Sequence, residues 1–123
     1  MEANDLIEQI DAAIGAHGSW KVRLRSAIAS GSSDANPYAV SCDDQCAFGK
    51  WLYDDKLPPA VKAGIPYSVI KRLHADFHRT AGRVLREALD GNTQSAQTVF
   101  EGEFADKSAT LVRALLKWKR ELS

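Results

Sequence analysis

The stretch Ile70-Lys-Arg-Leu73-His74-Ala-Asp-Phe77-His78-Arg-Thr-Ala81-Gly-Arg-Val84-Leu85 decides the architecture. With Ala88, its apolar residues Ile70, Leu73, Phe77, Ala81, Val84 and Leu85 recur at steps of three and four, the period of a helix with one buried face. The spacing predicts a long helix from about Tyr67 to Leu89. His74 and His78 lie one step round from Leu73 and Phe77, at the border of the apolar stripe. Residues four apart stack on one helix face, so both imidazoles can reach a single point.

Working outward, the same period appears on both sides. Toward the N-terminus, Leu6, Ile10, Ala13, His17, Trp20, Leu24 and Ala27 alternate steps of four and three, with Ile14 and Ile28 widening the stripe. That is the seam of a helix packed on other helices, with Asn4-Asp5 as its expected N-cap. His17 stands on the seam where an apolar residue belongs. Gly15 and Gly18 beside it cost the helix up to about 1 kcal/mol each relative to alanine. They are expected to admit another segment at close range. Toward the C-terminus, Asp90-Gly-Asn-Thr93 reads as a helix stop followed by a new cap. A last helix is expected from about Gln94 to Leu122, with Phe100, Phe104, Leu111, Leu115, Trp118 and Leu122 inward.

Between the first two long helices the chain is broken by punctuation. Residues 30–38 hold serine, glycine, asparagine and proline and read as a loop. Ser41 or Asp43 is the expected cap of a short helix that carries Cys46 in its first turns and reaches about Tyr53. On it Phe48, Trp51 and Leu52 face inward, and Gly49 leaves room for a neighbour. Asp54 to Pro66 holds three of the four prolines and reads as a connection with at most one helical turn. No alternating strand pattern and no internal repeat is present. The expectation is an all-α fold, a four-helix bundle with an additional short helix carrying the cysteine, built as one domain over residues 1–123.

Composition narrows the function. In 123 residues, sixteen basic and sixteen acidic side chains cancel, which argues against nucleic acid or an anionic membrane surface as partner. No apolar run approaches the ~20 residues of a membrane span, and the first residues are not signal-like, so a cytoplasmic location is expected. Two cysteines four residues apart, Cys42 and Cys46, do not make a secreted disulfide framework.

The chain has three histidines, and every one lies on or beside a core-facing stripe. Buried imidazoles need polar partners. His17, His74 and His78 with Cys46 supply four donors of the kind that suits tetrahedral Zn²⁺. Four protein ligands close the coordination sphere, which excludes a water-bearing catalytic site and implies a protein that is not an enzyme. The helix lacks the glutamate of a His-Glu-x-x-His protease: alanine, Ala75, stands there. Di-iron bundles need inward Glu-x-x-His pairs, which are absent. A lone thiolate among imidazoles is also the one oxidisable ligand, so its oxidation would loosen the short helix that carries it.

These motifs together resemble the chemoreceptor zinc-binding (CZB) domain family. The resemblance rests on His17 with Trp20, on Cys46-Ala-Phe48-Gly49-Lys-Trp51 and on the closing His74 and His78, in that order, and spans roughly residues 6–118. It implies a helical bundle, often a homodimer, binding one zinc through His17, Cys46, His74 and His78, with Trp20, Phe48, Gly49, Trp51 and Phe77 packed around the site. It further implies a regulatory role in a cytoplasmic chemoreceptor or diguanylate cyclase, sensing zinc or oxidants such as hypochlorous acid through Cys46 and passing the change to an output region in cis or in trans. The rival expectation is a structural, zinc-stabilised dimerisation module without sensing. Met1 directly before the first helix suits the N-terminal position that the resemblance gives cyclase-linked members. Cys42 lies outside the family's motif.

Overall fold

The computed structural model describes residues 3–122. The element order is α1 (Ala3–Ser30), α2 (Pro37–Ser41), α3 (Ala47–Leu52), α4 (Pro59–Lys62), α5 (Ile65–Leu89), α6 (Thr93–Val99), a π-turn (Phe100–Phe104) and α7 (Ala105–Leu122). The all-α bundle expected from periodicity is present. α1, α5 and the continuous α6–π–α7 rod form its frame, α2 lies along α5 on the remaining flank, and α3 is the added short helix against α1.

The core follows the predicted stripes. Ile10, Leu24, Ile70, Phe77, Leu85, Phe104, Leu111 and Leu115 are at most 1% exposed and come from all three long elements. Phe104 tilts against Phe77 across the α5–α7 seam with ring centroids 5.3 Å apart. At the rim, Lys119 of α7 meets Asp11 of α1 at 2.8 Å, and Arg83 meets Glu103 at 2.8 Å. Gly91, at φ +83°, turns the chain between α5 and α6, a conformation that L side chains resist.

Several boundaries differ from expectation, each for a local reason. Asn4 and Asp5 lie inside α1 and do not cap it. α5 starts two residues early because Pro66 sits at its first turn, where its missing N–H costs nothing. A helical turn, α2, begins at the end of the segment expected to be loop and runs past it to Ser41, because the Asn36 side chain accepts from the N–H groups of Tyr38 and Ala39 at 2.8 and 3.2 Å while Pro37 opens the helix. Gly15 and Gly18 face open space: a Cβ at either would meet nothing within 4 Å, so the close approach expected there is absent.

The π-turn has a readable cause. With Val99 buried beside Phe100, the buried stripe of the last rod runs through Ala96, Phe100, Phe104 and Ser108, three successive steps of four, before returning to a step of three at Leu111. At 3.6 residues per turn each step of four rotates the stripe about 40° off the core. A wider i→i+5 turn over Phe100–Phe104 takes up that drift and keeps both phenylalanines inside.

Burial, and not the surface pairs, holds this frame. Phe104→Ala is expected to cost about 3–5 kcal/mol, whereas Arg83→Ala, which breaks a half-exposed pair, is expected to cost under about 1 kcal/mol. Urea denaturation of the two variants at equal protein concentration checks the contrast.

Candidate metal centre

The site is built where α1, α3 and α5 meet. His17 comes from the middle of α1, and His74 and His78 stand one turn apart on α5; all three are at most 2% exposed. Cys46 is half-buried and sits one residue before α3. It is itself the N-cap of that helix, its Sγ accepting from the Gly49 N–H at 3.3 Å. The expected caps, Ser41 and Asp43, do not serve: Ser41 ends α2, and the Asp43 backbone lies against Gly49. A Cβ at Gly49 would stand 1.8 Å from the Asp43 carbonyl oxygen, so only glycine lets the 42–46 loop fold back and deliver the thiol. At its far end α3 is tied to α5 by Tyr67, whose hydroxyl donates to the Leu52 carbonyl at 2.6 Å.

The four donor atoms converge, all within 4.8 Å of one another. His17 Nε2 lies 3.0 Å from His74 Nε2 and 3.3 Å from His78 Nε2. Cys46 Sγ lies 3.3 and 3.5 Å from the Nε2 atoms of His74 and His78. A tetrahedral zinc with bonds of about 2.0–2.1 Å to nitrogen and about 2.3 Å to sulfur requires N···N edges near 3.3 Å and S···N edges near 3.6 Å. Four of the six edges, at 3.0–3.5 Å, lie close to that figure, and all six are within 4.8 Å.

Tautomers strengthen the fit. His17 Nδ1 is 2.7 Å from the Ala13 carbonyl and His78 Nδ1 is 2.9 Å from the Val40 carbonyl. A carbonyl only accepts, so both Nδ1 atoms carry the proton and both Nε2 atoms present bare lone pairs to each other. Opposed lone pairs repel, and a cation coordinated by both removes that repulsion. A backbone carbonyl behind the imidazole is also the usual support of a ligating histidine. His74 Nδ1 is buried without a hydrogen-bond partner among the described residues.

Electrostatics point the same way. Burial, with the neighbouring His78 next, pushes His17 down to about 4 against the opposing pull of its bond to Ala13. Burial, then His78 and His17, pushes His74 down to about 2. Burial lowers His78 as well. All three are therefore neutral donors at neutral pH. Cys46 departs from expectation: burial raises the thiol, outweighing the N–H groups of Gly49 and Phe48 that lower it. The helix start alone does not make the thiolate; a bound cation supplies the missing charge by direct coordination.

Around the ligands stands an aromatic wall. Phe48 meets His17 and His74 edge-on at 5.9 and 5.2 Å, and Phe77 meets His17 and His78 at 5.0 and 5.5 Å. Trp51 stacks on Phe48 at 5.6 Å and tilts on Trp118 of α7 at 6.2 Å, so α3 is linked to the last helix. Trp20 is half-buried, with the Arg23 guanidinium 3.8 Å over its ring. Asp76 faces away from the site toward Arg79 and Lys107. Cys42 is a free thiol whose N–H closes α2 on the Ala39 carbonyl. The Val40 carbonyl was not read as part of the site from the sequence; Asn36-Pro37, a cap followed by a first-turn proline, was the signal that a helical turn would present it.

A buried three-histidine, one-cysteine cluster in an all-helical bundle defines a zinc-binding protein. A family model described as the chemoreceptor zinc-binding domain matches residues 17–85, more than half of the chain and a span holding all four ligands, and the chain belongs to that family. No curated protein and no solved structure gives a significant match.

Cys46→Ala and His74→Ala are each expected to lower zinc retention from about one ion per chain to a small fraction, read by elemental analysis after dialysis. In the metal-free protein, stability is expected to fall as pH drops below about 6.5, the ordinary histidine value. The unfolded chain takes up protons there and the buried imidazoles do not, so the loss runs at up to about 1.4 kcal/mol per pH unit per histidine until about pH 4 for His17. Urea titrations from pH 7.5 to 4.5 check the sign.

Proposed function

We propose that this chain is a non-catalytic regulatory domain that senses zinc or an oxidant through Cys46 and relays the change to a signalling output. The observation that carries the reading is the placement of the single thiol ligand. It caps a six-residue helix that hangs between two connections and touches the last helix through Phe48, Trp51 and Trp118. The three imidazoles, in contrast, stand on long helices of the frame. Losing the sulfur therefore frees α3 while the frame stands.

Oxidation supplies one such loss. Hypochlorous acid transfers its oxygen to Cys46 Sγ, the sulfur gives up two electrons and chloride leaves. The sulfenic sulfur is a poorer donor than thiolate. Zinc depletion supplies the other. Both change the same joint between α3 and α7. The family membership supports an output of the chemoreceptor or diguanylate cyclase kind, in cis or in trans, with homodimerisation as the means of transmission. Leu116, 43% exposed on the outer side of α7, suits such a contact. No helix among the described residues is long and apolar enough to cross a membrane, in keeping with a cytoplasmic placement.

The competing reading is a permanent structural zinc, and removal of the metal separates the two. A sensor is expected to keep its helical circular dichroism after chelation, with amide exchange rising around residues 41–55 and little in the three long elements. Stoichiometric hypochlorous acid is expected to reproduce that pattern in the wild type and to do nothing in Cys46→Ala. Global unfolding on chelation would overturn the sensing reading in favour of the structural one.

A further inference from the structure

Beyond the four ligands, one element outside them is arranged toward the site. α2 presents the Val40 carbonyl to His78 Nδ1 at 2.9 Å. It reaches that position by lying directly on α5 at Gly82, one turn beyond His78. A Cβ on Gly82 would stand 2.7 Å from Ser41 Cβ and 2.9 Å from the Pro37 carbonyl oxygen. Those two residues are the ends of α2, so any side chain at Gly82 lifts the whole turn. The turn itself is held closed by the exposed Asn36 cap at its N-terminus and by the Cys42 N–H at its C-terminus.

We propose that α2 is a clip belonging to the metal centre, seated on Gly82, whose Val40 carbonyl fixes the tautomer and orientation of His78. Gly82 and Asn36 are then positioning residues for zinc, although neither touches it. The clip and the ion are coupled, and coupling is reciprocal: whatever affinity the docked clip adds for zinc, zinc adds for docking of the clip. Loss of metal therefore releases a surface turn on the flank of α5, away from the α3–α7 joint. The other two histidines do not share this dependence. His17 takes its support from Ala13 of its own helix, and His74 Nδ1 has no partner among the described residues.

This inference rests on the zinc reading above, and the experiment keeps the two apart. Zinc affinity is measured by competition with a chromophoric chelator for the wild type, Gly82→Ala, Asn36→Ala, and the controls Gly15→Ala and Gly18→Ala. The controls flank a ligand yet face open space. Supports of ligating histidines typically carry 10–100-fold in affinity. Gly82→Ala is expected to weaken binding by that factor, Asn36→Ala by about five-fold, and the controls not measurably.

Long-range ¹H–¹⁵N spectra of the imidazoles supply a readout that general destabilisation would not give. In both test variants the Nδ1–H of His78 is expected to lose its hydrogen-bonded shift while that of His17 keeps its own. Chelating the wild type is expected to speed exchange of the Val40 and Cys42 amides at least ten-fold. Wild-type affinity in both variants, or equal change at His17 and His78, overturns the clip. If Gly82→Ala does not fold, Asn36→Ala decides, since Asn36 is exposed and acts only through α2. A wild type that takes up no zinc overturns the zinc reading itself, and the clip with it.

Discussion

Two bare imidazole lone pairs, on His17 and His78, face each other across 3.3 Å inside an apolar core, and the rest of the structure answers that constraint. Their outer nitrogens are committed to the Ala13 and Val40 carbonyls, so neither can turn a proton inward without losing its support. Protonating them from outside is blocked by burial, which holds His17 near 4. A divalent cation resolves the repulsion at one stroke, and Cys46 brings the negative charge that a buried dication needs. The aromatic wall of Phe48 and Phe77 keeps water away, so each of these interactions acts at low dielectric.

That constraint divides the molecule into a frame and an attachment. Three long elements share a core of Ile10, Leu24, Leu85, Phe104, Leu111 and Leu115, and Phe77 joins that core to the ligands. The segment from Gly31 to Gly64, by contrast, contains only short helices and leans on the frame through Val40 on His78, Ser41 on Gly82, Phe48 on His17 and His74, Trp51 on Trp118, Leu52 on Tyr67 and a buried Leu57. Two of those six contacts fall on the ligand histidines themselves. Stability is thus graded across the chain, with the low end where a ligand can act on it.

Much of this was legible in the residues themselves. The three long helices and their buried faces follow from steps of three and four, a pattern that survives because each helix turns one continuous face to the shared core along its length. The site was legible because histidine is conspicuous on an apolar seam. Short helices were harder, since α2 is made by one asparagine cap and a proline and not by any period. The role of Cys46 as its own cap depends on Gly49 lying under the Asp43 backbone, a contact between segments that no spacing records. The π-turn shows in the three consecutive four-residue steps, but a sequence alone does not say whether the helix bends, rotates or widens to absorb them. The Cys46 thiol illustrates a different limit: a helix start favours the thiolate, burial opposes it, and only the folded surroundings decide which is larger.

The meeting of Trp51 with Phe48 and Trp118 has an optical consequence. The chain has three tryptophans, and two of them lie at the joint between the cysteine-bearing helix and the last helix. The third, Trp20, stands under the Arg23 guanidinium, in a different electrostatic setting. Ultraviolet emission from this protein is therefore weighted toward a place where the attachment touches the frame's final rod. Two fluorophores meet at this joint, and their exciton coupling and quenching by neighbouring rings would register any change in its packing without a label.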